Sequence, residues 1–124
     1  MLKKIFFLKK NNSKIKITSF DVKHGKINST AYVVGKLAYI SDCNHVFTKD
    51  LKKLSNLKYL VIDCLKFNKH QSHFNLEEAV LLSKKTKAKN TILTNLHSDL
   101  DYELLKKTLP KNIYPAFDGM TLNI

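Results

Sequence analysis

Residues 59–65 read Tyr59-Leu60-Val61-Ile62-Asp63-Cys64-Leu65, and the Tyr59–Ile62 part is a continuous apolar run closed by an aspartate. With no polar residue on alternate positions, the run predicts a strand buried inside a sheet. Downstream, Asn75 can cap a helix running through Lys85. Leu76, Ala79, Val80 and Leu82 follow helical spacing there, and Glu77 and Glu78 place negative charge in the first turn. Thr91-Ile92-Leu93 predicts a further short strand, and Asp99 or Asp101 opens a helix to about Lys107 that Pro110 stops. Ile113-Tyr114 and Met120–Ile124 are expected as last strands around an Asp118-Gly119 turn.

Upstream of the run the pattern is different. Residues 4–8 and 14–20 alternate or run apolar on either side of a polar stretch, which predicts a β-hairpin. Asp21–Gly25 is a polar break. Ala31–Val34 and Leu37–Ile40 are two strands joined by Gly35-Lys36. Thr48–Leu57, with apolar positions at 51 and 54, is expected as a helix starting at Thr48. Four strands are thus followed by strands alternating with helices, which implies a sheet covered by helices on one face. The expectation is a single layered α/β domain over residues 1–124, without repeat or linker.

The 124 residues carry 22 positive and 10 negative side chains, a net charge of +12. Every positive residue is lysine, and lysine with 11 asparagines makes up over a quarter of the chain. Specific nucleic-acid recognition leans on the arginine fork, which lysine cannot reproduce. Scattered lysine pairs such as Lys52-Lys53 and Lys84-Lys85 describe a solvated surface better than a dedicated polyanion face. The apolar stretch Ile5-Phe6-Phe7-Leu8 is too short for a signal-peptide core, and no run approaches a membrane span. A cytoplasmic location is expected. Cys43 and Cys64 each follow an aspartate at the end of an apolar segment and are expected as small buried hydrophobes.

The five histidines, His24, His45, His70, His73 and His97, all fall at strand ends or in loops, and Asp42 closes a strand. Strand-end loops are where layered α/β folds bind ligands, and imidazoles with a carboxylate suit Zn²⁺, Mn²⁺ or Fe²⁺. His45 is expected at the surface, and Asp99 and Asp101 as helix caps.

Five stretches, in this order, resemble the second half of a metallo-β-lactamase-fold hydrolase. They are His24-Gly25, Ala38–Asp42, Val61–Leu65 with His70–Glu78, Leu93–Tyr102, and Pro115–Met120. The group most similar is the cyclic phosphodiesterase branch, which cleaves a phosphoribosyl cyclic phosphate. The resemblance implies an αββα sandwich, two Zn²⁺ or Mn²⁺ ions per site, and a phosphodiester substrate. It assigns His24 to one metal, Asp42 to a bridge between two metals, and His73 to the proton donor for the leaving alkoxide. The resemblance places the last ligand at position 95, where this chain has Asn95; His97, two residues on, is the substitute expected, because residues i and i+2 of an extended segment point to the same side.

The family's defining His-x-His-x-Asp-His motif belongs upstream of His24, and no histidine lies among residues 1–23. His24, Asp42 and His97 alone would leave each cation short of the three or so protein ligands of a catalytic zinc site. The chain is therefore expected to be the C-terminal portion of a di-metal hydrolase, truncated or split and inactive alone. Its partner would be an N-terminal half, or a second copy covering an exposed apolar face. The alternatives are a non-catalytic remnant of that family, and a lysine-rich nucleic-acid-binding module.

Overall fold

The computed structural model describes residues 4–124. Seven strands form one sheet in chain order: β1 (Lys4–Lys10), β2 (Ser13–His24), β3 (Ile27–Val34), β4 (Leu37–Ile40), β5 (Tyr59–Asp63), β6 (Asn90–Thr94) and β7 (Ile113–Pro115). The first four pair antiparallel through tight turns, and β4 to β7 pair parallel. Parallel neighbours need a crossover, which is why the helical segments all follow β4. These are a 3-10 helix (Thr48–Leu54), α1 (Leu76–Thr86) and α2 (Tyr102–Thr108).

The core lies between the sheet and these helices. Ala38, Leu60, Thr91 and Ile113 stand in register across β4–β7, with Ile40, Ile62, Leu93 and Pro115 in the next row, and all eight are buried. Helix α1 packs on β5 and α2 on β7. The polar Thr91 is satisfied by a 2.7 Å hydrogen bond to the Ser83 hydroxyl of α1. The α/β reading of the sequence holds, as does the hairpin that begins it.

Three local expectations are corrected. Strand β2 runs on through Asp21–His24, because Val22 buries completely on the core face while Asp21 and Lys23 alternate to the other. The segment from Thr48 is a 3-10 helix ending at Leu54, and its N-cap is Phe47 with no side-chain cap bond. Leu51 and Leu54 are three apart, the period of a 3-10 turn, and Leu54 is fully buried. Residues 120–124 do not form a strand. After the turn at Asp118-Gly119, this segment packs against Tyr59, Ile92 and Tyr114 on the sheet face away from the helices. There Lys58 Nζ donates to the Asn123 carbonyl at 2.6 Å.

Candidate metal and acid–base site

The C-terminal ends of β4, β5 and β6 bring three polar side chains together. Asp42 follows β4, Asp63 is the last residue of β5, and Asn95 follows β6. In a parallel sheet these ends face the same way, which is why open α/β sheets bind ligands there. Asp63 is completely buried, yet each of its oxygens has a donor. Oδ2 accepts the Cys43 backbone N–H at 2.9 Å and lies 2.6 Å from His73 Nδ1, and Oδ1 accepts from Asn95 Nδ2 at 3.1 Å. A buried carboxylate without such partners would be strongly destabilising. Asp42 is about half exposed, with Oδ1 3.9 Å from His73 Nδ1 and 3.5 Å from Asn95 Nδ2. The Ser41–Asp42 peptide bond is cis.

The histidines arrive from two turns that press on each other. Gly25 has φ 62°, and a Cβ there would meet Ser72 Cβ at 3.1 Å, so glycine lets the β2–β3 turn lie against the loop before α1. His24 is carried with it. Its Nδ1 lies 2.9 Å from the Ser72 carbonyl, which can only accept, so Nδ1 carries the proton and Nε2 keeps its lone pair. His73 is oriented the same way by Asp63, and the two rings are 4.9 Å apart, edge to face. A carbonyl or carboxylate on one ring nitrogen is the usual way of preparing the other as a ligand or proton carrier. His70 packs 5.2 Å from His73 and accepts from the Ser72 N–H at 3.3 Å.

Of the residues singled out in the sequence, His24, Asp42 and His73 therefore stand together. The His97 ring is 58 % exposed and its Nδ1 lies 3.1 Å from Asp99 Oδ1. Asn95 adopts φ 61° and ends the extended run, so the two-residue spacing from position 95 does not by itself place His97 on the same side. His45 is exposed, and Asp101 caps α2 by accepting the Leu104 N–H at 2.7 Å. Asp63 is the site residue that sequence reasoning gave no role. Its signal was the repeat of Asp-Cys at the ends of two apolar strands, Asp42-Cys43 and Asp63-Cys64, which pair side by side.

Donor atoms of Asp42, Asp63 and His73 all lie within 4.8 Å of one another, close enough to meet one cation. Two carboxylates and imidazoles with free lone pairs fit a divalent metal. The cluster also pairs a buried acid with an imidazole beside an exposed acid, the arrangement of a proton-transfer site.

Residues 4–95 match the family model described as a β-lactamase superfamily domain, and the chain belongs to that family. The fold agrees with solved members. A diphosphatase of the PhnP family superposes with a TM-score of 0.87 at 31% identity, covering 89% of this chain and 44% of that one. The short form of human tRNase Z gives a TM-score of 0.72 at 18% identity, covering 97% of this chain and 46% of that one. An octanoyltransferase of Porphyromonas gingivalis is 26% identical over 102 residues, 80% of this chain and 20% of that protein. The chain thus spans less than half the length of each of these three proteins.

Proposed function

We propose that this chain is the portion of a metal-dependent phosphodiesterase or related phosphorus-ester hydrolase that carries the acid–base pair and part of the metal site. The observation that carries the reading is the buried Asp63–His73 pair, 2.6 Å apart, set beside the exposed Asp42 at the ends of parallel strands. The diphosphatase relative at 31% identity supports phosphorus-ester chemistry. His24 and Asp42 would hold a divalent cation, Zn²⁺ or Mn²⁺, and a second cation would share Asp42. His97 would join them by exchanging Asp99 for the ion. Bound there, the metal supplies Lewis-acid polarisation of a phosphoryl oxygen.

The chain's own residues do the rest. Asp63 fixes the ring of His73 and occupies its Nδ1, so proton exchange with substrate is confined to Nε2. A proton held at that atom can be delivered to a leaving alkoxide, as general-acid catalysis requires. Burial of Asp63 keeps water from competing for His73 Nδ1. Further metal ligands would come from a polypeptide layer bearing a His-x-His-x-Asp-His segment, packed on the open face of the sheet. The site is expected to work in the cytoplasm.

The test is hydrolysis of bis(p-nitrophenyl) phosphate by the chain alone and mixed with a polypeptide carrying that segment, with bound metal measured in both. Activity is expected in the mixture alone. Asp42→Ala should abolish it, and His73→Ala should lower kcat by roughly 100-fold or more. A mixture that hydrolyses the substrate as fast with Asp42→Ala as without removes the metal assignment. A second reading, a non-catalytic member with weak metal affinity, is favoured by the asparagine at position 95.

A further inference from the structure

The backbone turn at Asn95 sends its side chain back over the ends of β4 and β5, where Nδ2 is 3.1 Å from Asp63 Oδ1 and 3.5 Å from Asp42 Oδ1. Carboxylates at these oxygens can only accept, so the amide presents its nitrogen and offers a hydrogen to each. An NH₂ group between two carboxylates neutralises them in part, as a cation would, and it stands beside the donors that come within 4.8 Å of one another. The two ends of an amide are nearly the same size, so a half-turn of the side chain replaces the nitrogen by an oxygen without moving the backbone.

We propose that Asn95 controls which cation this site accepts. With its nitrogen on the carboxylates it holds the site closed, and with its oxygen inward it adds a third oxygen to those of Asp42 and Asp63. That set suits a hard, oxygen-preferring ion such as Mn²⁺ or Mg²⁺ and lowers the advantage that Zn²⁺ has at nitrogen-rich sites. The inference rests on the reading of this cluster as a cation site and adds the selectivity to it. Turning the amide gives up two hydrogen bonds, so the ion must compete with a preformed internal partner.

The experiment measures Zn²⁺ and Mn²⁺ affinity by equilibrium dialysis for the native chain, Asn95→His and Asn95→Asp. Histidine and aspartate, like asparagine, tolerate the left-handed backbone required there. Asn95→His should raise the ratio of Zn²⁺ to Mn²⁺ affinity by at least about tenfold, because an imidazole nitrogen lone pair replaces an amide oxygen as the ligand. Asn95→Asp, which cannot donate, should strengthen both ions by about fivefold or more. Metal binding by the native chain with the ratio unchanged within about threefold in Asn95→His overturns the proposal and leaves the hydrolase reading standing. Binding by Asn95→His but not by the native chain upholds it and overturns the hydrolase reading for this chain. If none of the three proteins binds either ion, both fall. Circular dichroism reports whether Asn95→His is folded, and if it is not, unchanged affinities in Asn95→Asp overturn the proposal.

Discussion

Asp63 has no exposed surface, and the chain spends a backbone N–H, an imidazole and an amide on its carboxylate. Immediately behind it and Asp42 sit Cys43 and Cys64, both free and fully buried. Burial pushes each thiol up from 9.0 to about 12, and the negative charge of Asp63 adds to the effect in both. Both thiols should therefore resist Ellman's reagent at pH 8 in the folded chain and react at once in denaturant. The sign with pH follows from the same shift. Above pH 9 the unfolded chain releases thiol protons that the folded chain retains, so stability is full below about 9 and falls as pH rises toward 12. Prompt labelling of the native protein at pH 8 would contradict this burial. The buried character of both cysteines was legible from their apolar neighbours. The role of Asp63 was not, because it depends on which strand lies beside β5, and only the pairing of β4 with β5 puts Asp42 next to it.

At the scale of elements, α1 was the most legible feature, because its ends are written in local chemistry. The Asn75 side chain accepts the Glu78 N–H at 2.9 Å while Glu78 Oε2 accepts the Asn75 N–H at 3.0 Å, a complete capping box. Sequence-distant contacts decided what local chemistry could not: the extension of β2 rests on pairing with β3, and the unpaired course of residues 120–124 on the sheet face beneath it. The cap also bears on the site. His73 is two residues before Asn75, and Phe74 N–H donates to the Cys43 carbonyl at 2.7 Å, tying the helix entry to the strand end that carries Asp42. Asn75→Ala should cost about 1 kcal/mol, read as a lower urea midpoint with unchanged slope. It should also broaden or shift the His73 ring signals in NMR while leaving those of the exposed His45 in place. Loss of stability with the His73 signals untouched would mean that the cap holds the helix and has no part in orienting the site.

The whole molecule has two unlike sheet faces. One is buried under the helices, and the other carries Phe6, Ile17, Val34, Leu37 and Tyr59 in one register row and Tyr32, Tyr39, Val61, Ile92 and Tyr114 in the next. Residues 117–122 cover the Tyr59, Ile92 and Tyr114 end, around a cavity of about 450 Å³. Phe6, Tyr32 and Tyr39 remain 39–44 % exposed. From β2 to β7 neither row carries a charged side chain, in a chain of net charge +12. Exposed apolar faces are where partners dock, and the second polypeptide layer proposed above would cover this one while bringing metal ligands to the edge where Asp42 lies. A core residue and an interface residue respond differently to charge. Ile62→Lys, on the buried face, should unfold the chain, since an unpaired charge would be forced into the core. Tyr39→Lys combined with Val61→Lys should leave the thermal midpoint of the isolated chain within a few degrees. The same pair should abolish assembly with the proposed second layer, followed by sedimentation velocity. A native chain that instead sediments as a dimer, and becomes monomeric in the double variant, would assign the face to a second copy. A large loss of stability in the double variant alone would show that the face is already part of the folded core.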